Sequence, residues 1–170
     1  MSTDFLEEGS VTTPAGWRAG TWACGIKYQG RDDLALVVSD RPCNAAAVFT
    51  TNKVKAAPVR YDMALLERNA AGLRAVVINA GNANACTGAD GDAAAQAMAR
   101  AVEAALGLPA DTAFVMSTGP IGVPMPVEKV TAGIPRAAER LDADGGAAAA
   151  RAIMTTDTHP KHAALRLALP

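Results

Sequence analysis

The sequence predicts a layered α/β fold with substantial hairpin content, and three observations carry that expectation. Half of the 170 residues are hydrophobic while aromatics are only 4 %. Much of the apolar count is alanine, which suits helices laid closely on a sheet. Strand-like and helix-like stretches are interspersed, but not in the regular alternation of a doubly wound sheet. No fixed-period repeat or low-complexity linker divides the chain, so residues 1–170 read as one domain or a piece of one.

The elements follow in order. After a short polar N-terminal arm of about ten residues, "TWACGIKYQGRDDLALVVSD" reads as two strands. Trp22 to Tyr28 alternates loosely, Gly30-Arg31-Asp32 turns, and Leu34 to Val38 is a short apolar run. Two more strands are expected around Ala47–Thr50 and Pro58–Tyr61, with Pro58 barring the second from a central place. Ala75 to Asn79 is the cleanest strand. A helix follows with Ala95, Met98, Val102, Ala105 and Leu106 on its inner stripe and Asp92, Gln96, Arg100 and Glu103 on other faces. Gly107-Leu108-Pro109 closes it.

Ala113 to Met116 is the next strand. A helix then begins near Pro126, with Val127, Val130 and Ile134 inward; Pro135 is expected to interrupt it, with helix resuming toward Leu141. Gly145-Gly146 punctuates, Ala147 to Ile153 is helical, and "RLALP" looks like a strand in need of a neighbour.

Composition excludes some functions. Sixteen basic residues face 17 acidic ones, for a formal net charge of -1. With no dense Lys/Arg run and few aromatics, nucleic-acid binding is not expected. The first residues are acidic where a signal peptide would be basic, and no apolar stretch reaches membrane-spanning length, so a cytoplasmic protein is expected. Cys24, Cys43 and Cys86 read as free thiols rather than a disulfide or metal framework. His159 and His162 lack a third ligand.

Four polar segments stand out. Ser117-Thr118-Gly119 ends a strand with a hydroxyl and a backbone N–H that can converge on a developing oxyanion, or else forms a plain turn. "NAGNANACTG", Asn79 to Gly88, is a polar loop of fixed geometry. Asn82 and Asn84 there serve either a hydrogen-bond knot or a ligand. "RAIMTTDTHPK" offers Thr155, Thr156 and Asp157 for a polar ligand or for capping. "TTNKVKAAPV" places Thr50, Thr51 and Asn52 beside Lys53 and Lys55, as a substrate rim or a solvated loop. No Gly-x-Ser-x-Gly elbow occurs, and no thiol is paired with a base.

The segments "DLALVVSDRPCNAAAVFTTNKVKAAPV", "VVINAGNANACTG", "STGPIGVPMP" and "AIMTTDTHPK", in this order, resemble the alpha chain of the bacterial ornithine acetyltransferases. These are the bifunctional glutamate N-acetyltransferases of arginine biosynthesis, the ArgJ family, which includes a branch from clavulanic acid gene clusters. The resemblance implies a four-layer α/β/β/α sandwich of the DmpA type, completed by a separate beta chain in an α2β2 assembly.

It also implies an activity. A precursor cleaves itself, and the threonine then exposed at the start of the beta chain takes the acetyl group from N-acetylornithine and passes it to glutamate, in a ping-pong sequence. Thr118 and Gly119 match the oxyanion pair and Thr155 matches the substrate threonine, with Asn82, Asn84, Thr156 and Asp157 as supporting candidates. No cofactor or metal is implied, and acetyl-CoA stays open as a co-substrate. The nucleophile has no match before Pro170, so this chain is expected to be incomplete as an enzyme. Pro120 stands where the family commonly has a bulky aliphatic residue, and it biases Gly119 away from helical angles. An N-terminal-nucleophile aminopeptidase of related fold, a non-catalytic binding module and a purely structural protein are the competing readings.

Overall fold

The computed structural model describes residues 3–168. Its centre is a four-stranded mixed sheet of β2 (Trp17–Trp22), β3 (Leu34–Cys43), β4 (Leu73–Ala80) and β5 (Ala113–Thr118), adjacent in that order. The β2/β3 and β3/β4 pairs are antiparallel and β4/β5 is parallel. A parallel pair requires a crossover, and helix α2 (Gly88–Leu106) provides it. The α/β class is therefore as the sequence predicts, with hairpin character at the β2–β3 side and a crossover at the β4–β5 side.

Alternation along the strands decides what each face covers. Leu34, Leu36 and Val38 of β3, Ala75 and Val77 of β4, and Ala113 and Val115 of β5 point to one side. There they meet Ala95, Met98 and Val102 of α2 and Val130 and Ile134 of α3 (Val127–Ala138), all buried. On the opposite face Ala19, Ala35 and Val37 receive Ala149 and Ala152 of the short helix α4 (Gly146–Ala152). That helix covers the β2–β3 half only. On β5, Met116 keeps 47 % of its surface exposed.

Several expectations are corrected. The first strand lies upstream of the predicted Trp22–Tyr28 segment, which is loop apart from Trp22, because residues 24 and 26 give their N–H groups to a side chain rather than to a ladder. Residues 47–50 form no strand. The predicted strand Pro58–Tyr61 is the start of helix α1 (Ala57–Arg68), where proline is tolerated because first-turn N–H groups have no intrahelical acceptor. Its buried set, Ala57, Pro58, Asp62 and Leu65, has helical spacing rather than alternation.

In α2, Ala105 is exposed and Glu103 is buried, the reverse of the predicted stripe. The Glu103 carboxylate accepts the Thr112 N–H at 3.0 Å just ahead of β5. Pro135 does not interrupt α3: it lies on the exposed side, and the helix runs on to Ala138.

The last predicted strand finds its neighbour at the other end of the chain. β6 (Ala164–Leu167) pairs antiparallel with β1 (Thr3–Leu6), which forms within the N-terminal arm. The final residues of "RLALP", Leu169 and Pro170, lie outside the described residues.

Met98 is fully buried between the sheet and the helices. Met98→Ala should lower stability by about 2–5 kcal/mol in urea unfolding, and a loss below about 1 kcal/mol would show that α2 is not packed on the sheet as described.

Candidate active site

Parallel strands β4 and β5 end side by side, with Asn79 in register with Ser117 and Ala80 with Thr118. Both chains then leave through glycines at positive φ, Gly81 at 103° and Gly119 at 146°. The Thr118 carbonyl accepts the N–H groups of Gly81 at 2.8 Å and Asn82 at 3.1 Å, which draws the two exits together. A Cβ on Gly119 would lie 2.6 Å from the Gly81 carbonyl carbon and closer still to the Asn82 nitrogen. Only glycine fits both the angle and the approach.

Among the described residues, the Thr118 hydroxyl and the Gly119 N–H donate to no protein group. Two donors at one strand end, held and unspent, form the kind of arrangement that can receive negative charge on an oxygen.

The asparagines answer the knot-or-ligand question. Asn82 and Asn84 are buried. Asn82 Nδ2 donates to the carbonyls of Val123 and Pro124 at 3.1 Å each, and its Oδ1 accepts the Asn84 N–H at 2.7 Å. Asn84 Nδ2 donates to the Gly91 carbonyl at 2.9 Å, and its Oδ1 accepts the Thr87 hydroxyl at 2.7 Å. Both amides are thus committed to the chain, and they position the loop rather than face a ligand. The loop after Gly119 is tied in as well: Ala83 N–H reaches the Pro120 carbonyl at 3.1 Å and Gly122 N–H the Ala85 carbonyl at 2.9 Å. Pro120 takes part through its carbonyl, and the missing proline N–H is not called upon.

The outer edge of β5 is held from α1. Asp62 Oδ1 accepts the Val115 N–H at 2.9 Å, three residues before Thr118. Burial pushes the Asp62 carboxyl up to about 7, against a smaller downward pull from that N–H. Its spacing on the buried face of α1 was the sequence signal, hidden while this segment was read as a strand.

A loop over residues 23–33 connects this region to the Thr155 segment. Buried Asp33 accepts the N–H groups of Cys24 and Ile26, each at 2.7 Å, and Lys129 Nζ from α3 donates to the Gly25 carbonyl at 2.9 Å. So anchored, the loop packs on Gly81, where a Cβ would lie 2.9 Å from Lys27 Cβ. Farther on, the Tyr28 hydroxyl donates to the Thr155 carbonyl at 3.5 Å and Arg31 donates to the Met154 carbonyl. No hydrogen bond joins Thr155 directly to Thr118 or Gly119. Asp33, Gly81 and this loop were missed by sequence reasoning, since a buried carboxylate spent on backbone has no periodic signature.

The remaining candidates are spent locally. Lys161 bonds Asp157 and, with the Thr155 backbone alongside, holds its carboxyl below the usual range. Thr156 is exposed. In the 50–55 segment, Asn52 accepts from Val54 N–H and its carbonyl from Lys55, the pattern of a solvated loop. Burial first, then the charges of Asp33 and Asp32, push the Cys24 thiol up to about 12, which leaves it unreactive as a thiolate. Among the described residues, no three His, Cys, Asp or Glu side chains gather as metal ligands.

The profile of the ArgJ family matches residues 18–169. The chain belongs to the ArgJ family. It is 52 % identical over 161 residues to the arginine biosynthesis bifunctional protein ArgJ of Symbiobacterium thermophilum, covering 94 % of this chain and 40 % of that protein. The chain thus spans well under half the length of this relative.

Two solved structures share its fold. One is ornithine acetyltransferase complexed with ornithine from Mycobacterium tuberculosis, with TM-score 0.90 and 46 % identity, covering 96 % of this chain and 88 % of that one. The other is the arginine biosynthesis bifunctional protein ArgJ of Bacillus halodurans, with TM-score 0.91 and 36 % identity, covering 96 % and 85 %.

Asp62 supplies a test of how β5 is held. Its carboxyl is raised above the unfolded value of 3.8, so folding favours the protonated form. That contribution is fully present below about pH 4 and is lost as pH rises through about 7. Asp62→Asn keeps an acceptor for Val115 and should flatten the stability profile between about pH 4 and pH 8, with a higher urea midpoint than the parent at the alkaline end. An unchanged profile would mean that Asp62 is not buried against β5.

Proposed function

We propose that this chain is the alpha-chain portion of an acetyltransferase that moves an acetyl group from N2-acetyl-L-ornithine to L-glutamate. Family membership supplies the reaction class, and the observation that carries the assignment to residues is the unspent donor pair of Thr118 and Gly119 at the joined strand ends. In this reading a threonine at the start of a second chain from the same precursor attacks the acetyl carbonyl, its own α-amine acting as base. The Thr118 hydroxyl and Gly119 N–H stabilise the oxyanion of the tetrahedral intermediate. Collapse releases ornithine with a proton on its α-amine and leaves acetyl-threonine. The α-amine of glutamate, giving a proton to the threonine α-amine, then attacks the same carbonyl through a second oxyanion; collapse breaks the ester bond, returns that proton to the threonine oxygen and releases N-acetylglutamate.

Two facts support a separate second chain. The alignment takes 40 % of a curated relative's length but 85–88 % of the two solved chains, which fits solved chains that are themselves portions of a longer product. The β5 side of the sheet keeps Met116 exposed, where the second sheet of a four-layer α/β/β/α sandwich would pack. An α2β2 assembly and a cytoplasmic setting belong to the same reading. No helix among the described residues is long and apolar enough to cross a membrane. Acetyl-CoA as a second acetyl donor is compatible with this chemistry, since its thioester carbonyl would use the same hole.

Thr118→Ala in the processed protein should lower kcat by a factor that corresponds to about 3 kcal/mol, with Thr118→Ser retaining most of the rate. An unchanged kcat for Thr118→Ala would remove the hydroxyl from the mechanism. Thr155→Ala should chiefly raise KM for N-acetylornithine, and intact kinetics for both substrates would assign Thr155 a structural role.

A further inference from the structure

We infer that Asn79 and Ser117 bind one buried water molecule directly beneath Thr118 and Gly119, and that Ser117 is a positioning residue for these donors; the positioning role rests on the acetyltransferase reading above. Two side-chain atoms carry the inference. Among the described residues, Asn79 Oδ1 and Ser117 Oγ are the buried side-chain polar atoms that meet no hydrogen-bond partner. Asn79 is fully buried, and its amide is oriented by Nδ2, which donates to the Asn82 carbonyl at 2.9 Å. Its carbonyl end is left as an acceptor with nothing to accept. Buried polar atoms are rarely left so, because bulk water cannot reach them and the lost hydrogen bond is costly.

The two atoms come from one rung of the sheet. Asn79 and Ser117 are Cα partners on the parallel strands β4 and β5. Their side chains therefore leave on one face, that of Val77 and Val115 two residues earlier. No bond joins them directly. A single water suits this pair: it accepts the Ser117 O–H and donates one of its own hydrogens to Asn79 Oδ1.

The place of this water gives it a consequence. Ser117 precedes Thr118 in the chain, and Asn79 holds the carbonyl of Asn82, whose own N–H goes to the Thr118 carbonyl at 3.1 Å. Bridged by water, these groups close a ring that runs from Ser117 through Asn79 and Asn82 to Thr118. The ring spans the last rungs of register before the two chains part, on the face of the sheet opposite the Thr118 side chain. It sets the spacing of the two exits, and with it the aim of the donors, without meeting the substrate.

The test joins a structure to kinetics, both on the processed protein. A high-resolution crystal structure should show one water within about 3 Å of both atoms. Ser117 Oγ or Asn79 Oδ1 bonded instead to a protein group, the second chain's included, would overturn the site. Ser117→Ala should lower kcat for N-acetylornithine about tenfold with KM unchanged, and Ser117→Thr, which keeps the hydroxyl, should retain most of the rate. In a Thr118→Ala background the same Ser117→Ala change should cost less than about threefold, because the hydroxyl it aims is already gone. Equal losses in the two backgrounds, a loss confined to KM, or no loss would overturn the positioning role. So would a Ser117→Ala protein that does not fold, since the pair would then be holding up the sheet. Wild-type protein that transfers no acetyl group would remove the acetyltransferase reading and the positioning role with it, and the water site would then stand or fall on the crystal structure alone.

Discussion

Everything at the candidate site depends on how closely two parallel strands end together. The Thr118 carbonyl holds two consecutive N–H groups of the neighbouring exit, and Gly119 sits where no Cβ can fit. This contact fixes the direction of the Gly119 N–H and of the Thr118 side chain before any substrate arrives. Donors aimed in advance need no reorganisation when charge develops, which is the physical source of their value in catalysis. A side chain at Gly119 would force the exits apart and spoil the aim of both donors, and one at Gly81 would push against the loop at Ile26 and Lys27.

The rest of the chain braces that contact from three directions. Behind it, Asn82 and Asn84 tie both exit loops to each other and to the start of α2. At the sheet edge Asp62 takes the Val115 N–H, so β5 is held although, among the described residues, no strand pairs with its outer side. Beside it, Asp33 and Lys129 pin the loop that reaches from Gly81 to Thr155. The charged groups in these braces are used for structure, and the donor pair itself is neutral. On the acetyltransferase reading that division is sensible: the site must bind an amide carbonyl without holding a permanent counter-ion in the oxyanion's place.

Local sequence made some of this legible. Ser117-Thr118-Gly119 at a strand end, the asparagine loop, and helix α2 with its Gly107 stop were readable because strand burial, turn chemistry and helical period agreed there. The family resemblance came from four motifs in order and not from those periodicities. What failed has physical causes. Pro58 reads as a strand breaker when its neighbours are apolar, yet it suits a helix's first turn, and the strand assignment concealed Asp62 on the buried face. Glu103 and Asp33 are buried acids whose partners are loop backbone N–H groups outside any helical or strand repeat, so neither period nor charge pattern marks them. The role of residues 23–33 emerges only when Gly81 and Thr155 are placed in space.

The most direct test of the account is intact-mass spectrometry of the native protein, denatured after a brief pulse of N-acetylornithine. The account predicts a second chain that begins with threonine and gains the mass of one acetyl group, while the chain described here keeps its mass and subsequent glutamate removes the label. Acetyl found on this chain, or a fully processed protein that takes up none, would contradict it.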